Sequence, residues 1–495
     1  MYFQDRTGAY STGMGTINDT LEGYVNEGAI KLLTEVGVGF NCDSSGKPRN
    51  PSLAFFLDTL QEGGMLTYAT YPTTVYKQGK PEETWQGRFW PTKELIDTCK
   101  YSTPSIEEFC EKYDMEKPYF VGGGTPSLVY EDGEERPATL KDLEYIMKGA
   151  EANGIPLMCM PLKPTLDTRQ TKGMSKEQKR KKMVITEELE PYRAMAENYN
   201  GVQVWEPSDE LGRRQALEYS SQGKNILLSA APEYGMHISD DGFNKMLEAV
   251  DTGLDFFCPS MLTGGVDAPA TPFGMAEQAV AEIYVGLIFT QLQKPGTGFL
   301  AGPYANISST RAERSFEMGA PALTMTNYII GRTLTREGIP NIPSAATSNE
   351  NGFNAEAKGL FTNKDVEVAM EWIYGQDGVF GFRHGLPGCI RDQKCVNLDL
   401  FDMNLKYLQH LKSLGLQQKH NELPLYLMNT RVEDVKSAAN NGGQLTDTPE
   451  SLLDRHLEIA RKGVEIHLGN YSGMDETLDN LPALNSLFWL DFSSQ

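Results

Sequence analysis

The chain has 495 residues, 40% of them hydrophobic, with Lys+Arg 45 against Asp+Glu 67 and a net charge of −22. That length and apolar content suit a soluble protein built on one large domain with accessory regions. A surface this acidic argues against nucleic acid and anionic membrane as partners, although charge alone also serves solubility.

Met1 to Thr20 carries polar and charged residues and no apolar run with a cleavage site, so no secretory leader is expected. The most apolar stretch, Ala276 to Leu292, is broken by Glu277, Gln278 and Glu282, and a membrane helix needs about 20 apolar residues. A cytoplasmic location follows as the expectation. The cysteines, Cys42, Cys99, Cys110, Cys159, Cys258, Cys389 and Cys395, contain no Cys-x-x-Cys pair. An odd, scattered set argues against a disulfide framework and offers no ready zinc cluster. No metal of the protein's own is expected.

Residues 1–117 read as an N-terminal helical extension. Thr16 to Val36 places Leu21, Val25, Ala29, Leu32 and Leu33 on roughly one face, and Gly37 ends the pattern. Phe40 to Pro51 clusters Asn, Ser, Gly and Pro, as a loop does. A second helical pattern starts at Pro91.

Beyond Pro118 short apolar runs alternate with longer helical patterns. The strand candidates are Tyr119 to Gly123, Pro156 to Met160, Val202 to Glu206 and Asn225 to Ala230. They continue with Asp255 to Pro259, Gly298 to Ala301, Asn341 to Ala345 and Val379 to Arg383. Helices are predicted after Thr139, with Asp142 in capping-box spacing, and over Lys176 to Asn198, Asp209 to Gln222 and Asp240 to Thr252. Further helices are predicted over Phe273 to Leu292, Arg311 to Arg336, Asn354 to Tyr374 and Leu398 to Leu414. Eight such units predict an α/β fold, a (β/α)8 TIM barrel over residues 118–416. A doubly wound open sheet is the alternative. Residues 417–495 read as a C-terminal helical tail, packed on the barrel or on a second copy in a homo-oligomer.

Barrel enzymes carry their chemistry at the C-terminal strand ends, which turns the strand candidates into a short set of residues. Strand three ends in Trp205-Glu206-Pro207. An indole beside a carboxylate can hold a cation, or can simply be a packed Trp next to a salt-bridged Glu. The loop after strand four runs Pro232-Glu233-Tyr234-Gly235-Met236-His237, and His237 is a natural proton carrier or a locally satisfied imidazole. Strand five feeds the Gly- and Pro-rich loop from Met261 to Gly274, whose Gly264 and Gly265 could admit part of a large cofactor. The same loop could equally be a rigid connection. Strand six leads to Tyr304, and strand eight to Arg383 and His384.

Several of these segments together resemble the trimethylamine and glycine-betaine methyltransferase family. They are Ile30 to Val38, the Gly264 to Gly274 loop, the helix Ala276 to Gly296, the stretch Glu317 to Tyr328, and Gly338-Ile339-Pro340. The resemblance spans roughly Gly23 to Gly415, and Thr347 to Phe353 and Gly442 to Thr448 depart from the family's pattern. It implies an enzyme that moves a methyl group from a small methylated amine to the Co(I) of a corrinoid (cobalamin) carried by a cognate partner protein. Some members of that family use pyrrolysine, which is absent from this sequence, so a quaternary ammonium such as a betaine is the expected substrate. On that reading Trp205, Tyr234 and Tyr304 form an aromatic cage and Glu206 offsets the ammonium charge. His237, Arg383 and His384 orient the other end of the substrate, and Gly264 and Gly265 approach the corrinoid. Two alternatives stay open: a barrel methyltransferase acting on methyl-corrinoid, and a non-catalytic scaffold that docks a corrinoid protein.

Overall fold

A computed structural model describes residues 2–4, 10–12, 14–77, 80–115, 121–122, 127–131, 134–160, 162–165, 171–231, 235–264, 266–269, 271–307, 321–343, 389–390 and 395–398. The extension opens on a short antiparallel pair, Tyr2–Gln4 with Tyr10–Thr12, and helix α1, Met14–Lys31, follows. A π-helical turn over Leu32–Val36 continues it, and Gly37 stops it at φ 79°, a value open to glycine. So far the sequence reading holds, but the extension is only partly helical. Strand β1, Val38–Asn41, helix α2, Pro51–Glu62, and strands β2, Leu66–Lys77, and β3, Lys80–Pro91, follow. β2 and β3 form a long antiparallel hairpin and β1 pairs antiparallel with β3. The helical expectation failed here because Thr, Tyr and Val dominate Leu66–Lys77, a pattern of β-branched and aromatic residues that favours strands. Helices α3, Lys93–Ser102, and α4, Ile106–Lys112, close the extension.

The second layer is a parallel sheet. Its strands are β4, Val121–Gly122, β5, Leu157–Cys159, β6, Val202–Trp205, and β7, Ile226–Ser229. A two-residue strand β8, His237–Ile238, leaves this sheet to pair with β1. The parallel sheet resumes with β9, Asp255–Gly264, and β10, Phe299–Ile307. Its strands lie in chain order, β4-β5-β6-β7-β9-β10, each parallel to the next. A bridge from Ala301 to Asn341 continues the series at the edge. Six of the eight predicted strands are therefore seen in the predicted order, and a seventh is represented by that bridge. The eighth, Val379 to Arg383, lies outside the described residues, as do the helices predicted over 354–374 and 398–414 beyond Leu398 and the tail 417–495.

The intervening helices sit as the pattern predicts. They are α5, Leu140–Ala152, α6, Lys176–Val184, α7, Glu190–Asn198, α8, Glu210–Ser221, α9, Asp240–Asp251, α10, Pro272–Gln293, and α11, Pro321–Arg336. Thr139 and Asp142 form the reciprocal capping box read from their spacing, and Asp209 caps α8.

Strand alternation sorts the core into two sides. Leu157, Cys159, Val202, Val204, Leu227, Phe257 and Leu300 form one cluster on the inner face of the sheet. Their neighbours Met158, Trp205, Leu228, Phe256, Cys258 and Phe299 pack outward against the helices. Phe109 of α4 joins the inner cluster. Beside it, Lys112 Nζ and Tyr113 Oη each reach the buried Asp255 carboxylate at 2.7 Å. Helix α4 thus plugs the N-terminal end of the sheet, leaving the C-terminal end as the side where chemistry can be placed.

Candidate functional site

The inner face at the C-terminal strand ends is set by register. Trp205 pairs with Leu228, and Ser229 pairs with Phe257. Glu206, the residue after β6, falls beside Ser229 in register, and alternation puts Ser229 on the face of Leu227. Glu206 is exposed, and its backbone N–H donates to Tyr192 Oη at 2.9 Å. Ser229 is 4% exposed, and its Oγ has no hydrogen-bond partner among the described residues. β9 and β10 extend past the other strands to Gly264 and Ile307. Tyr304 therefore stands above Leu300 and Gly302 on the inner face, opposite Met261, and is buried. A Cβ on Gly302 would lie 2.0 Å from Phe257 Cζ, so the Phe257 ring occupies the space that a side chain at 302 would take.

Trp205 is not part of this face. It is fully buried on the outer side, stacked on Tyr192 of α7 at 4.5 Å with an 8° interplanar angle, and edge-on to Tyr219 of α8. Its Nε1 donates to Gln203 Oε1 at 3.1 Å. The cage assignment for Trp205 is corrected for a plain reason: period-two alternation sends residues 204 and 205 to opposite faces. The packed-Trp alternative is the one realised.

His237 is also displaced from the parallel sheet. It belongs to β8, in register with Gly39 of β1, and a Cβ at Gly39 would lie 2.7 Å from its Nδ1. The imidazole packs against the antiparallel sheet of the extension instead of standing at a strand tip. Gly264 is corrected likewise. A Cβ there would meet Met275 Sδ at 2.5 Å, so helix α10 makes the close approach that was expected from a cofactor. Tyr234, Gly265, Arg383 and His384 lie outside the described residues.

A buried carboxylate that the sequence reading did not single out holds the loop after β7. Glu282 of α10 is 3% exposed. Its Oε1 accepts from the backbone N–H groups of Gly235 at 3.0 Å and Met236 at 3.4 Å, and from Gln278 Nε2 at 3.1 Å. Its Oε2 accepts from Ser260 Oγ at 2.8 Å. Gly235 and Met236 have φ of 72° and 55°, and these successive left-handed residues turn both N–H groups toward one oxygen. Burial pushes the Glu282 carboxyl above the usual range, against the pull of its donors. The only sequence signal was negative: Gln278 and Glu282 interrupt an otherwise apolar helix.

Among the described residues no group of three His, Cys, Asp or Glu side chains could hold a metal ion, and no helix is long and apolar enough to cross a membrane.

A parallel α/β sheet plugged at its N-terminal end, with a carboxylate, a hydroxyl and aromatic rings at the other, has the layout of a barrel-like α/β fold. Residues 235–359, which contain the Glu282 clamp and β9 through α11, match the model of the trimethylamine methyltransferase family. No curated protein matches the chain. Among solved structures, the hydroxylamine complex of MtmB is 10% identical, with a TM-score of 0.45, covering 90% of this chain and 87% of that one. The monomethylamine methyltransferase of Methanosarcina barkeri is 11% identical, with a TM-score of 0.42, covering 90% and 86%. A 4-hydroxy-tetrahydrodipicolinate synthase from Methylacidiphilum fumariolicum SolV is 11% identical at a TM-score of 0.27, covering 72% and 99%.

Proposed function

We propose that the chain transfers a methyl group from a quaternary methylated amine, such as a betaine, to the Co(I) of a corrinoid held by a separate protein. The match of residues 235–359 to the trimethylamine methyltransferase family carries this reading. On it, the six parallel strands are part of a closed eight-stranded barrel.

The chemistry asks little covalent work of the protein. A quaternary nitrogen already bears its charge, so the electron pair of the broken C–N bond returns to nitrogen and a neutral tertiary amine departs. The methyl group goes to the cobalt nucleophile. The enzyme's part is to position the donor and to exclude water. Glu206 supplies a negative charge for the ammonium, and Tyr304 and Phe257 supply aromatic surface beside it. Tyr234, Arg383 and His384 keep their proposed places around the substrate. His237 acts at most through the loop that precedes it. Gly264, filled against by Met275, contributes no surface to the acceptor.

The test is a panel of glycine betaine, proline betaine, carnitine and choline, each supplied with the reduced corrinoid protein, while the cobalt spectrum is followed. Conversion with at least one of them supports the reading. A panel with no conversion, in protein that still recovers the corrinoid partner in a pull-down, favours the docking scaffold.

A further inference from the structure

Among the described residues, the inner face holds a polar atom that is left without a hydrogen bond. Ser229 ends β7, is 4% exposed, and its Oγ has no partner among those residues. Buried hydroxyls are ordinarily hydrogen-bonded, because an unmatched one destabilises the folded chain. Ser229 follows Leu227 by two residues and therefore shares its inward direction. Register places Phe257 on one side of it. On the other, the pairing of Leu228 with Trp205 puts Glu206 next in line.

That neighbourhood limits the ligand. A carboxylate or phosphate would sit against the Glu206 carboxylate and be repelled. The adjoining Phe257 ring favours a cation or an apolar group over an anion. A hydroxyl oxygen between them offers lone pairs to N–H or to the polarised C–H of an N-methyl group. We propose that Ser229 is a specificity residue, whose Oγ accepts from the charged head of a methylated ammonium held between Glu206 and Phe257. This rests on the methylated-amine reading above and adds which end of the substrate enters first. The cationic head lies at the sheet, and any carboxylate tail points away toward the mouth.

The arrangement has a signature that a structural serine would not give. Replacing Ser229 with Ala removes a polar atom that the free protein leaves unmatched, so stability stays level or rises. The same change removes an acceptor from the complex, so affinity falls. Full-length wild type and Ser229→Ala are compared by chemical denaturation and by calorimetric titration with two probes at pH 7, trimethylammonium and tetramethylammonium. The expected result is an unchanged or higher denaturation midpoint in Ser229→Ala. Trimethylammonium, which has an N–H, binds about tenfold more weakly, and tetramethylammonium, which has only C–H, about threefold more weakly. Equal affinities of wild type and variant for both probes would overturn the proposal and leave the methylated-amine reading standing. So would a clear loss of stability in Ser229→Ala, which would mean that the hydroxyl already serves the fold. Wild type that binds neither probe would remove both.

Discussion

The Ser260 hydroxyl donates to Glu282 Oε2 at 2.8 Å, tying the outer face of β9 to helix α10. The other oxygen of the same carboxylate holds the turn at Gly235 and Met236. One buried side chain thereby fixes the sheet, the helix and the loop that leads to β8.

Its burial predicts a pH dependence. The folded-state pKa of Glu282 is raised by desolvation, so the folded chain binds its proton more tightly than the unfolded chain does. The stability this provides is complete below the ordinary glutamate range and is lost as pH rises through the raised folded pKa. Glu282→Gln, neutral at every pH, should lack this component. Denaturant titrations between pH 4 and 8 should show wild type losing ground to Glu282→Gln as pH rises. Glu282→Ala, which strands four donors, should cost on the order of 3 kcal/mol or more at any pH.

The Trp205–Tyr192 stack predicts a stability effect without a binding effect. Trp205→Ala should destabilise by about 3–5 kcal/mol, as for other buried aromatic truncations. Trp205→Phe, which keeps the ring contact with Tyr192, should fold and bind methylated amines as wild type does. A selective loss of affinity in Trp205→Phe would return the indole to the site.

Packing at Gly264 is testable by rescue. Gly264→Ala collides with Met275 Sδ and should cost about 1–3 kcal/mol as an overpacked core position. Adding Met275→Ala should recover part of that loss, giving a non-additive double-mutant cycle. Were Gly264 instead needed for close approach of the corrinoid, Gly264→Ala would impair methyl transfer at unchanged stability, and Met275→Ala would not help.

The plug at the N-terminal end makes a further prediction. Asp255 is buried between Lys112 and Tyr113, and also accepts from the Gly298 N–H at 3.0 Å. Burial first, and Asp255 second, push the Tyr113 phenol far up. Tyr113→Phe should lose about 1 kcal/mol, a single hydrogen bond. Asp255→Ala should lose considerably more, since it strands Tyr113 and the Gly298 amide together. Both changes lie at the opposite end of the sheet from Glu206 and should leave substrate affinity alone.

The parallel sheet was legible because its strands are short apolar runs between capped helices, and Thr139, Asp209 and Gly37 mark element ends by their own chemistry. The hairpin of β2 and β3 was missed because a helical pattern was carried forward over residues whose β-branched and aromatic side chains favour strands. At the site, position was legible and direction was not. Strand ends could be named from sequence, but Glu206 and Trp205 were assigned to one site although adjacent strand residues face opposite ways. The same alternation, applied to Leu227 and Ser229, would have pointed to Ser229. His237 was misplaced because a two-residue strand pairing with β1 leaves no periodic signal. Glu282 could not be found from sequence, since its partners at 235, 236 and 260 are brought to it only by the fold.

On the proposed function, Glu206 is the charge that holds a methylated ammonium. Its most direct test is the initial rate of corrinoid methylation, read from the cobalt spectrum, for wild type and Glu206→Gln with the best substrate of the betaine panel. The account predicts a fall in kcat/KM of about tenfold or more, since a charged partner contributes roughly 1.5–3 kcal/mol, with Glu206→Asp retaining part of the activity. Equal rates in wild type and Glu206→Gln, at equal stability, would contradict it.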